Sequence, residues 1–181
     1  FPELVQASKE GRLVREYTEV VGDVHAIRVM DMHSASLAQI EQVIERTRPA
    51  MVMYDMLANF RYDGERAGGN KTDGIEQRWQ QVRTMAVEYD PIGIGTIQVS
   101  ADGDNMLFPP MSALKDSKTG VQGATDVIIL LGKLNDPNMN GLRGISTPKN
   151  KFQMPGRPGH IQSEIAFDPE RCQFPEIGEV S

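Results

Sequence analysis

An apolar run that ends on a single acid constrains the fold of this chain more than any other feature. Residues 50–57, Ala-Met-Val-Met-Tyr-Asp-Met-Leu, contain one charged side chain, Asp55. The run is too short to span a membrane and too apolar for an exposed strand. It predicts a central parallel strand that is buried on both faces. Such a strand would place Asp55 at the C-terminal edge of the sheet, where open α/β sheets bind ligands.

Two roles are open to Asp55. In nucleotide hydrolases, an acid at this edge holds the magnesium ion of the bound nucleotide, usually through water. The alternative is that Asp55 only caps the turn that follows the strand. Residues 50–57 alone favour neither role, so the two roles are distinguished by the motifs in the rest of the chain.

Size and charge fit one domain. The chain has 181 residues, of which 39% are hydrophobic and 24% are charged, and this composition is ordinary for a globular protein with a sizeable core. Its net charge of -6 argues against a histone-like basic surface but allows a local groove for nucleic acid. We find no apolar run of membrane-spanning length and no signal core after Phe1, and the single cysteine, Cys172, is compatible with a reducing compartment. We therefore expect a cytoplasmic protein and no membrane partner.

The order of hydrophobic patterns predicts an α/β fold. Helices are expected at 4–20 with a break near Gly11, at about 35–48 with Ser34 as N-cap, and at 75–86. Strands are expected at 25–30, 50–57, 92–98, 126–131, 142–147 and 161–167, and long loops at 58–74, 100–123 and 148–160. This order predicts a mostly parallel sheet flanked by helices, with a C-terminal antiparallel hairpin.

Four features fall at the ends of these predicted strands. Asp55 ends one strand, and Gln98 ends the next in Thr-Ile-Gln-Val-Ser. A glycine- and lysine-bearing segment, 112–126, leads into the third. A basic pair spaced by one residue, Lys149 and Lys151, stands in Thr-Pro-Lys-Asn-Lys-Phe.

Taken in order, these features resemble the second half of the RecA-like ATPase core of DnaB-like replicative helicases and phage primase–helicases. Residues 50–57 resemble the Walker B strand of that family, and residues 96–100 resemble the strand whose terminal Gln or His senses the γ-phosphate. Residues 114–126 resemble its DNA-binding loop and the strand that starts on an acid. The resemblance covers nearly the whole chain, and it implies that residues 1–181 form the C-terminal portion of a helicase motor with an incomplete core.

The resemblance implies roles for four residues and the cofactors Mg²⁺ and ATP or another nucleoside triphosphate. Asp55 would orient Mg²⁺ through water, and Gln98 would contact the γ-phosphate or the attacking water. Lys149 and Lys151 would reach the nucleotide of a neighbouring subunit. The family usually has Arg at the second basic position, and a Lys there cannot form the bidentate fork.

The resemblance also implies single-stranded DNA as a partner in the channel of a ring. The expected contacts are Arg61, Arg66 and Lys71 in the first loop and Phe108, Lys115 and Lys118 in the second, with Phe108 stacking on a base. The alternatives are that Lys115 and Lys118 are solvated surface residues and that Lys149 and Lys151 are charges at a hairpin edge that discourage aggregation. His25, His33, His160 and Cys172 do not have metal-ligand spacing.

The function expected from this resemblance is that of a replicative DNA helicase that translocates on single-stranded DNA as a homo-oligomeric ring, with a hexamer as the expected state. A primase is a candidate partner, and a bacterium or a phage-infected host is the expected setting. No Gly-x-x-x-x-Gly-Lys-Ser/Thr phosphate loop occurs in the 181 residues, so the chain alone is expected not to hydrolyse ATP. The rival functions are a non-hydrolysing RecA-like module that binds DNA or a partner, and a RecA-family recombinase core.

Overall fold

A computed structural model of the chain describes residues 2–61, 71–114 and 120–175, without the side chains of residues 71–73. The chain divides into two units, Phe1–Met32 and His33–Ser181. No helix in the described residues combines the length and the apolar character that crossing a membrane requires.

The first unit contains two helices, α1 (Pro2–Lys9) and α2 (Arg12–Val21). The predicted break at Gly11 is confirmed: Gly11 has a φ of 66°, a left-handed conformation that glycine adopts without steric cost. Gly22 ends α2 in the same way, with a φ of 85° and a hydrogen bond from its N–H to the carbonyl of Thr18.

The prediction of a strand at residues 25–30 is wrong. Asp23 instead starts a turn, in which its carboxylate accepts a hydrogen bond from the backbone N–H of His25 over 2.8 Å. Val29 is 95% exposed, and no strand in the described residues pairs with this segment. A lone extended segment lacks the ladder hydrogen bonds and the apolar contacts that stabilise a strand, so its apolar residues did not suffice to form one.

The second unit alternates helices and strands. Its elements in chain order are α3 (Leu37–Thr47), β1 (Met51–Tyr54), α4 (Lys71–Tyr89), β2 (Ile92–Gly95), α5 (Gly120–Ala124), β3 (Val127–Gly132), β4 (Leu142–Asn150) and β5 (Gln162–Ala166). β1 and β2 pair in parallel, and β3, β4 and β5 form an antiparallel sheet in that order. The C-terminal antiparallel hairpin is therefore confirmed.

Helix α3 starts at a different cap from the predicted one. The N-cap is Ser36, whose hydroxyl accepts from the N–H of Gln39, while the Gln39 side chain accepts from the N–H of Ser36. This reciprocal capping box satisfies two N–H groups that the first turn leaves unpaired. Ser34 has no such partner three residues later and lies in the preceding turn.

The parallel pair has one covered face and one open face. Gly93 and Gly95 of β2 lie on the face that packs against α4. On the opposite face, Met51 is 55% and Met53 63% exposed. The prediction that this strand is buried on both faces is therefore wrong, because no element in the described part of the chain covers the second face.

The later strands differ from their predicted bounds. β4 continues to Asn150, so Lys149 lies in a strand and not in the predicted loop 148–160. The reason is pairing, since Val127 of β3 lies opposite Asn150 and Ile128 opposite Lys149. β2 stops at Gly95, three residues before the predicted end.

Helix α4 supplies much of the core of the second unit. Ile75, Trp79, Val82 and Met85 are buried, as their helical spacing predicts. The helix begins at Lys71, so the predicted loop 58–74 is too long at its C-terminal end. The predicted loop 100–123 includes two short 3-10 turns and most of α5.

Candidate functional site

The parallel register of β1 and β2 brings two side chains together at one edge of the sheet. Tyr54 lies opposite Gly95 at the C-terminal ends of the two strands. The next residues are Asp55 and Thr96, and the Thr96 hydroxyl donates a hydrogen bond to Asp55 Oδ1 over 2.7 Å. A carboxylate and the hydroxyl that orients it therefore form the centre of the candidate site.

The backbone below this pair is firmly held. The N–H of Thr96 donates to the carbonyl of Tyr54 over 3.1 Å, which continues the ladder one step past β2. Tyr54 is buried and packs edge-to-face on Phe60, with ring centroids 6.2 Å apart. Burial raises the pKa of Tyr54 to about 12, so this residue stays neutral and structural at any physiological pH.

Helix α4 fixes the edge from the covered face. The ring of Trp79 lies so close to Gly95 that a Cβ at this position would overlap it. Glycine at 95 is therefore required by close approach and not by backbone conformation. The side chain of Asp55 remains exposed to solvent, where a ligand can reach it.

This donor set fits a magnesium ion held through water. Mg²⁺ is usually bound by one or two carboxylates together with waters and substrate phosphates, and less often by a cage of protein ligands. Asp55 supplies one exposed carboxylate, and within the described residues no three His, Cys, Asp or Glu side chains group closely enough to hold a metal by themselves.

Gln98 does not occupy the predicted position at the end of β2. It lies three residues beyond Gly95, its side chain is exposed, and it makes no side-chain hydrogen bond to any residue that the structure describes. The residue that contacts Asp55 is Thr96. The sequence pattern did not single out Thr96 within the Gln98 segment, although a hydroxyl residue directly after an apolar strand is a usable signal.

The basic pair lies on the antiparallel sheet in a second cluster. Lys149 in β4 donates to the carbonyl of Gln122 in α5. Lys151, just after β4, donates to Asp126 Oδ1 over 2.8 Å. Arg83 of α4 also binds Asp126, over 3.1 Å. Two cations thus bind one carboxylate, and the charge of Lys149 lies near enough to interact with that carboxylate.

The charges of this cluster shift one another's protonation. The hydrogen bond from Lys151 has the largest effect and lowers the pKa of the Asp126 carboxyl. Desolvation opposes it, and the hydrogen bonds and the charge of Arg83 lower the pKa further. Burial lowers the pKa of the Lys149 ammonium, and the nearby charge of Lys151 lowers it further. The cluster has more positive than negative charge, which favours an incoming anion.

The two clusters are separate but share a helix. No hydrogen bond or ion pair in the described part of the chain joins Asp55 to Lys149 or Lys151. Helix α4 touches both clusters, through Trp79 against Gly95 and through Arg83 on Asp126.

The predicted DNA contacts fall mainly outside the described side chains. Arg66, Lys115 and Lys118 lie outside the described residues, and of Lys71 only the backbone, at the start of α4, is described. Arg61 is exposed, and its backbone N–H and carbonyl bond to Ala35 and Leu37 at the start of α3.

Phe108, the expected stacking residue, is half-buried. It follows Leu107, whose carbonyl lies directly against Gly132 of β3 and Gly144 of β4. This part of the predicted loop therefore packs on the antiparallel sheet.

Helix α4 also holds the chain at both predicted DNA-facing loops. The buried Arg78 donates from Nε to the carbonyl of Phe60 over 2.6 Å, next to the first loop. Glu76 accepts from the N–H of Gly120 over 2.9 Å, at the end of the second. Sequence reasoning missed both residues, because each partner is far along the chain.

Solved structures share this fold. A DnaB-like replicative helicase, studied together with its interactions with primase, matches with a TM-score of 0.72 and 21% sequence identity over 92% of this chain and 41% of that chain. The ATPase domain of a second protein matches with a TM-score of 0.73 and 19% identity over 97% of this chain and 65% of that chain. The chain thus spans less than two thirds of the length of either. No protein-family model and no curated protein matches the sequence. The RecA-like fold expected from the sequence is confirmed.

Proposed function

We propose that this chain is the C-terminal portion of an ATP-driven replicative DNA helicase motor. The observation that carries the proposal is the Asp55–Thr96 hydrogen bond at the C-terminal edge of a parallel strand pair, in a fold that matches a DnaB-like replicative helicase. An acid at this edge, oriented by a neighbouring hydroxyl, is what a nucleotide-bound magnesium ion requires.

Asp55 acts in this proposal by binding and orienting. Bound Mg²⁺ would supply positive charge to the phosphates of ATP or another nucleoside triphosphate. Asp55 accepts hydrogen bonds from the waters of that ion, and Thr96 keeps one carboxylate oxygen from turning away. In this proposal Gln98, which is exposed beyond β2, contacts the γ-phosphate or the attacking water and reports hydrolysis along the segment that follows it.

Lys149 and Lys151 act on the nucleotide of a neighbouring subunit. Their cluster makes no hydrogen bond or ion pair with Asp55 among the described residues, and its surplus positive charge suits a phosphate group that arrives from another copy of the chain. This proposal implies a homo-oligomeric ring, with a hexamer as the expected state. The ammonium of Lys151 is a point charge and cannot form the two parallel hydrogen bonds of a planar guanidinium. We therefore expect it to orient the phosphate less strictly than an Arg would.

Single-stranded DNA is the proposed track. Arg61, Arg66, Lys71, Lys115 and Lys118 would bind its phosphates, and Phe108 would stack on a base. Primase is a further proposed partner, because the DnaB-like neighbour was studied with its interactions with primase. A bacterial or phage-infected cytoplasm is the proposed setting.

The chain by itself lacks the phosphate loop that ATP hydrolysis requires. No phosphate-loop motif occurs in its 181 residues, and the two structural neighbours are longer than the region it spans. We therefore expect hydrolysis only when a phosphate loop is supplied by another segment of the complete gene product.

Nucleotide hydrolysis by the complete gene product, with and without single-stranded DNA, tests this function. Asp55→Ala is expected to remove nearly all turnover, and Gln98→Ala to weaken the stimulation by DNA. Asp102→Ala, which removes another exposed acid, is the matched control and should behave as wild type. Wild-type hydrolysis in Asp55→Ala would overturn the proposal. DNA binding without any hydrolysis would favour the non-hydrolysing module, and strand exchange without unwinding would favour a recombinase.

A further inference from the structure

Asp126 holds two cations in different ways. Arg83 Nη1 donates to both oxygens of the carboxylate, over 3.1 and 3.2 Å, and to the carbonyl of Ala124 over 2.9 Å. Lys151 Nζ donates to one oxygen only, over 2.8 Å, and has no other side-chain partner among the described residues. If Lys151 leaves, Asp126 keeps a charged partner.

The Lys151 side chain can leave without disturbing the sheet. Its backbone N–H donates to the carbonyl of Asp126 over 3.0 Å, and Val127 and Asn150 pair directly beside it. These main-chain contacts fix the start of the side chain and leave its ammonium free to exchange partners. The side chains of Lys151 and Asp126 are 46% and 41% exposed, and ion pairs at such exposure are weak.

We propose that Asp126 and Arg83 are positioning residues for Lys151. Asp126 holds the Lys151 ammonium within its own subunit, and Arg83 neutralises Asp126 when the ammonium moves out to a phosphate. This inference rests on the proposed role of Lys151 toward a neighbouring nucleotide. A nucleoside triphosphate carries several negative charges, so it competes well with a single carboxylate that a second cation already neutralises.

The contacts of Lys149 also favour movement of the Lys151 ammonium from Asp126 to a phosphate. Lys149 is tied to the carbonyl of Gln122, a neutral acceptor, so it leaves the positive charge of the cluster uncompensated. Arg83, Lys149 and Lys151 together carry more positive charge than Asp126 can neutralise, so an added anion stabilises the cluster.

If the Lys151 ammonium exchanges between Asp126 and a phosphate, two substitutions should change its availability in opposite directions. A purely structural ion pair would not give this result. Asp126→Asn removes the charge that holds Lys151, so the ammonium should become more available. Arg83→Gln removes the competitor for Asp126, so Lys151 should be held more tightly and become less available. Loss of local structure would instead expose Lys151 in both variants.

The availability of Lys151 is measurable as its rate of acylation by an N-hydroxysuccinimide ester, followed by mass spectrometry on the 181-residue chain. Lys133 is the internal reference, because it makes no ion pair or side-chain hydrogen bond with the described residues. We expect Asp126→Asn to raise the ratio of Lys151 to Lys133 rates roughly two- to fivefold and Arg83→Gln to lower it by a similar factor, the size typical of exposed ion pairs. A shift in the same direction in both variants, or no shift in either, overturns the inference.

Hydrolysis by the complete gene product separates this inference from the function on which it rests. Lys151→Ala tests whether Lys151 acts on the nucleotide of a neighbouring subunit. It does not test whether Asp126 and Arg83 control the availability of the Lys151 ammonium. Opposite labelling shifts together with wild-type hydrolysis in Lys151→Ala would support the exchange and remove the proposed role of Lys151. Lost hydrolysis in Lys151→Ala with unchanged labelling would keep that role and overturn the exchange.

Discussion

Thr96 donates its hydroxyl hydrogen to Asp55 over 2.7 Å, across two parallel strands that are in register up to the preceding residue pair. The hydrogen bond occupies one carboxylate oxygen and leaves the other for a ligand or its waters. Thr96 thereby fixes the direction of a negative charge that is otherwise exposed. Orientation of an exposed carboxylate by one neighbour is the usual role of the residues that surround a metal ligand.

Removing this hydroxyl should impair the site without unfolding it. Thr96→Val keeps the shape of the side chain and removes the donor, and we expect the affinity of the complete gene product for Mg²⁺ with nucleotide to fall by about 10- to 100-fold. The cost in stability should be no more than about 1 kcal/mol, because Thr96 is only half-buried. Magnesium titrations of nucleotide hydrolysis measure the effect.

Thr96→Ser is the matched control for this prediction, since it retains the hydroxyl and loses a methyl group. It should keep the magnesium affinity of wild type. Equal affinities in Thr96→Val and Thr96→Ser would show that the hydrogen bond does not matter for the ion.

The sequence predicted Asp55 and its strand edge because both depend on local pattern. An apolar run followed by an acid specifies a strand and its polar end without knowledge of the neighbours, but it does not specify which faces those neighbours cover. Thr96 was not predicted as its partner, because the two residues are 41 positions apart and only the β1–β2 register joins them. Gln98 was misplaced for a related reason: apolar residues continue past Gly95, but the ladder with β1 ends one step later, at the Thr96 N–H.

The contacts around Asp126 could not be predicted from the sequence for the same reason. The sequence identified Lys149 and Lys151 as a basic pair and Asp126 as the start of a strand. That Asp126 binds Lys151 follows from the β3–β4 pairing, and that Arg83 joins them follows from the packing of α4. Such contacts depend on tertiary geometry, which periodicity does not encode.

Two glycines on β2 should respond oppositely to the same substitution. A methyl group at Gly95 would overlap the Trp79 ring, whereas one at Gly93 would meet Val82 and Ala86 at 3.8 and 3.9 Å, an ordinary contact distance. We expect Gly95→Ala to lower the free energy of unfolding by about 1–3 kcal/mol through overpacking. Gly93→Ala should be neutral or raise it by about 0.4–1 kcal/mol, through the reduced entropy of the unfolded chain.

Urea unfolding of the 181-residue chain, followed by Trp79 fluorescence, measures both values. Each variant serves as the control for the other, because both add one methyl group to the same face of the same strand. A similar loss of stability in the two variants would contradict the packing of Trp79 on Gly95.

The ion pairs of Asp126 should make stability depend on pH in a defined window. The hydrogen bond from Lys151, together with those from Arg83, lowers the pKa of Asp126 in the folded chain. A carboxyl whose folded pKa lies below its unfolded value of about 3.9 contributes stability above that value and loses it as the pH falls through the folded pKa. The contribution at neutral pH should be no more than about 1 kcal/mol, since the partners are partly exposed.

Comparison of wild type with Asp126→Asn isolates this one carboxyl among all the acids of the chain. We expect the difference in unfolding free energy to be constant above about pH 5 and to shrink as the pH falls below about 4, because the wild-type carboxyl then becomes neutral like the amide. Added salt should reduce the difference at neutral pH, since it screens partly exposed charges. A difference that stays constant from neutral to acidic pH would show that Asp126 gains nothing from its charge, and the contacts with Arg83 and Lys151 would then be of no energetic consequence.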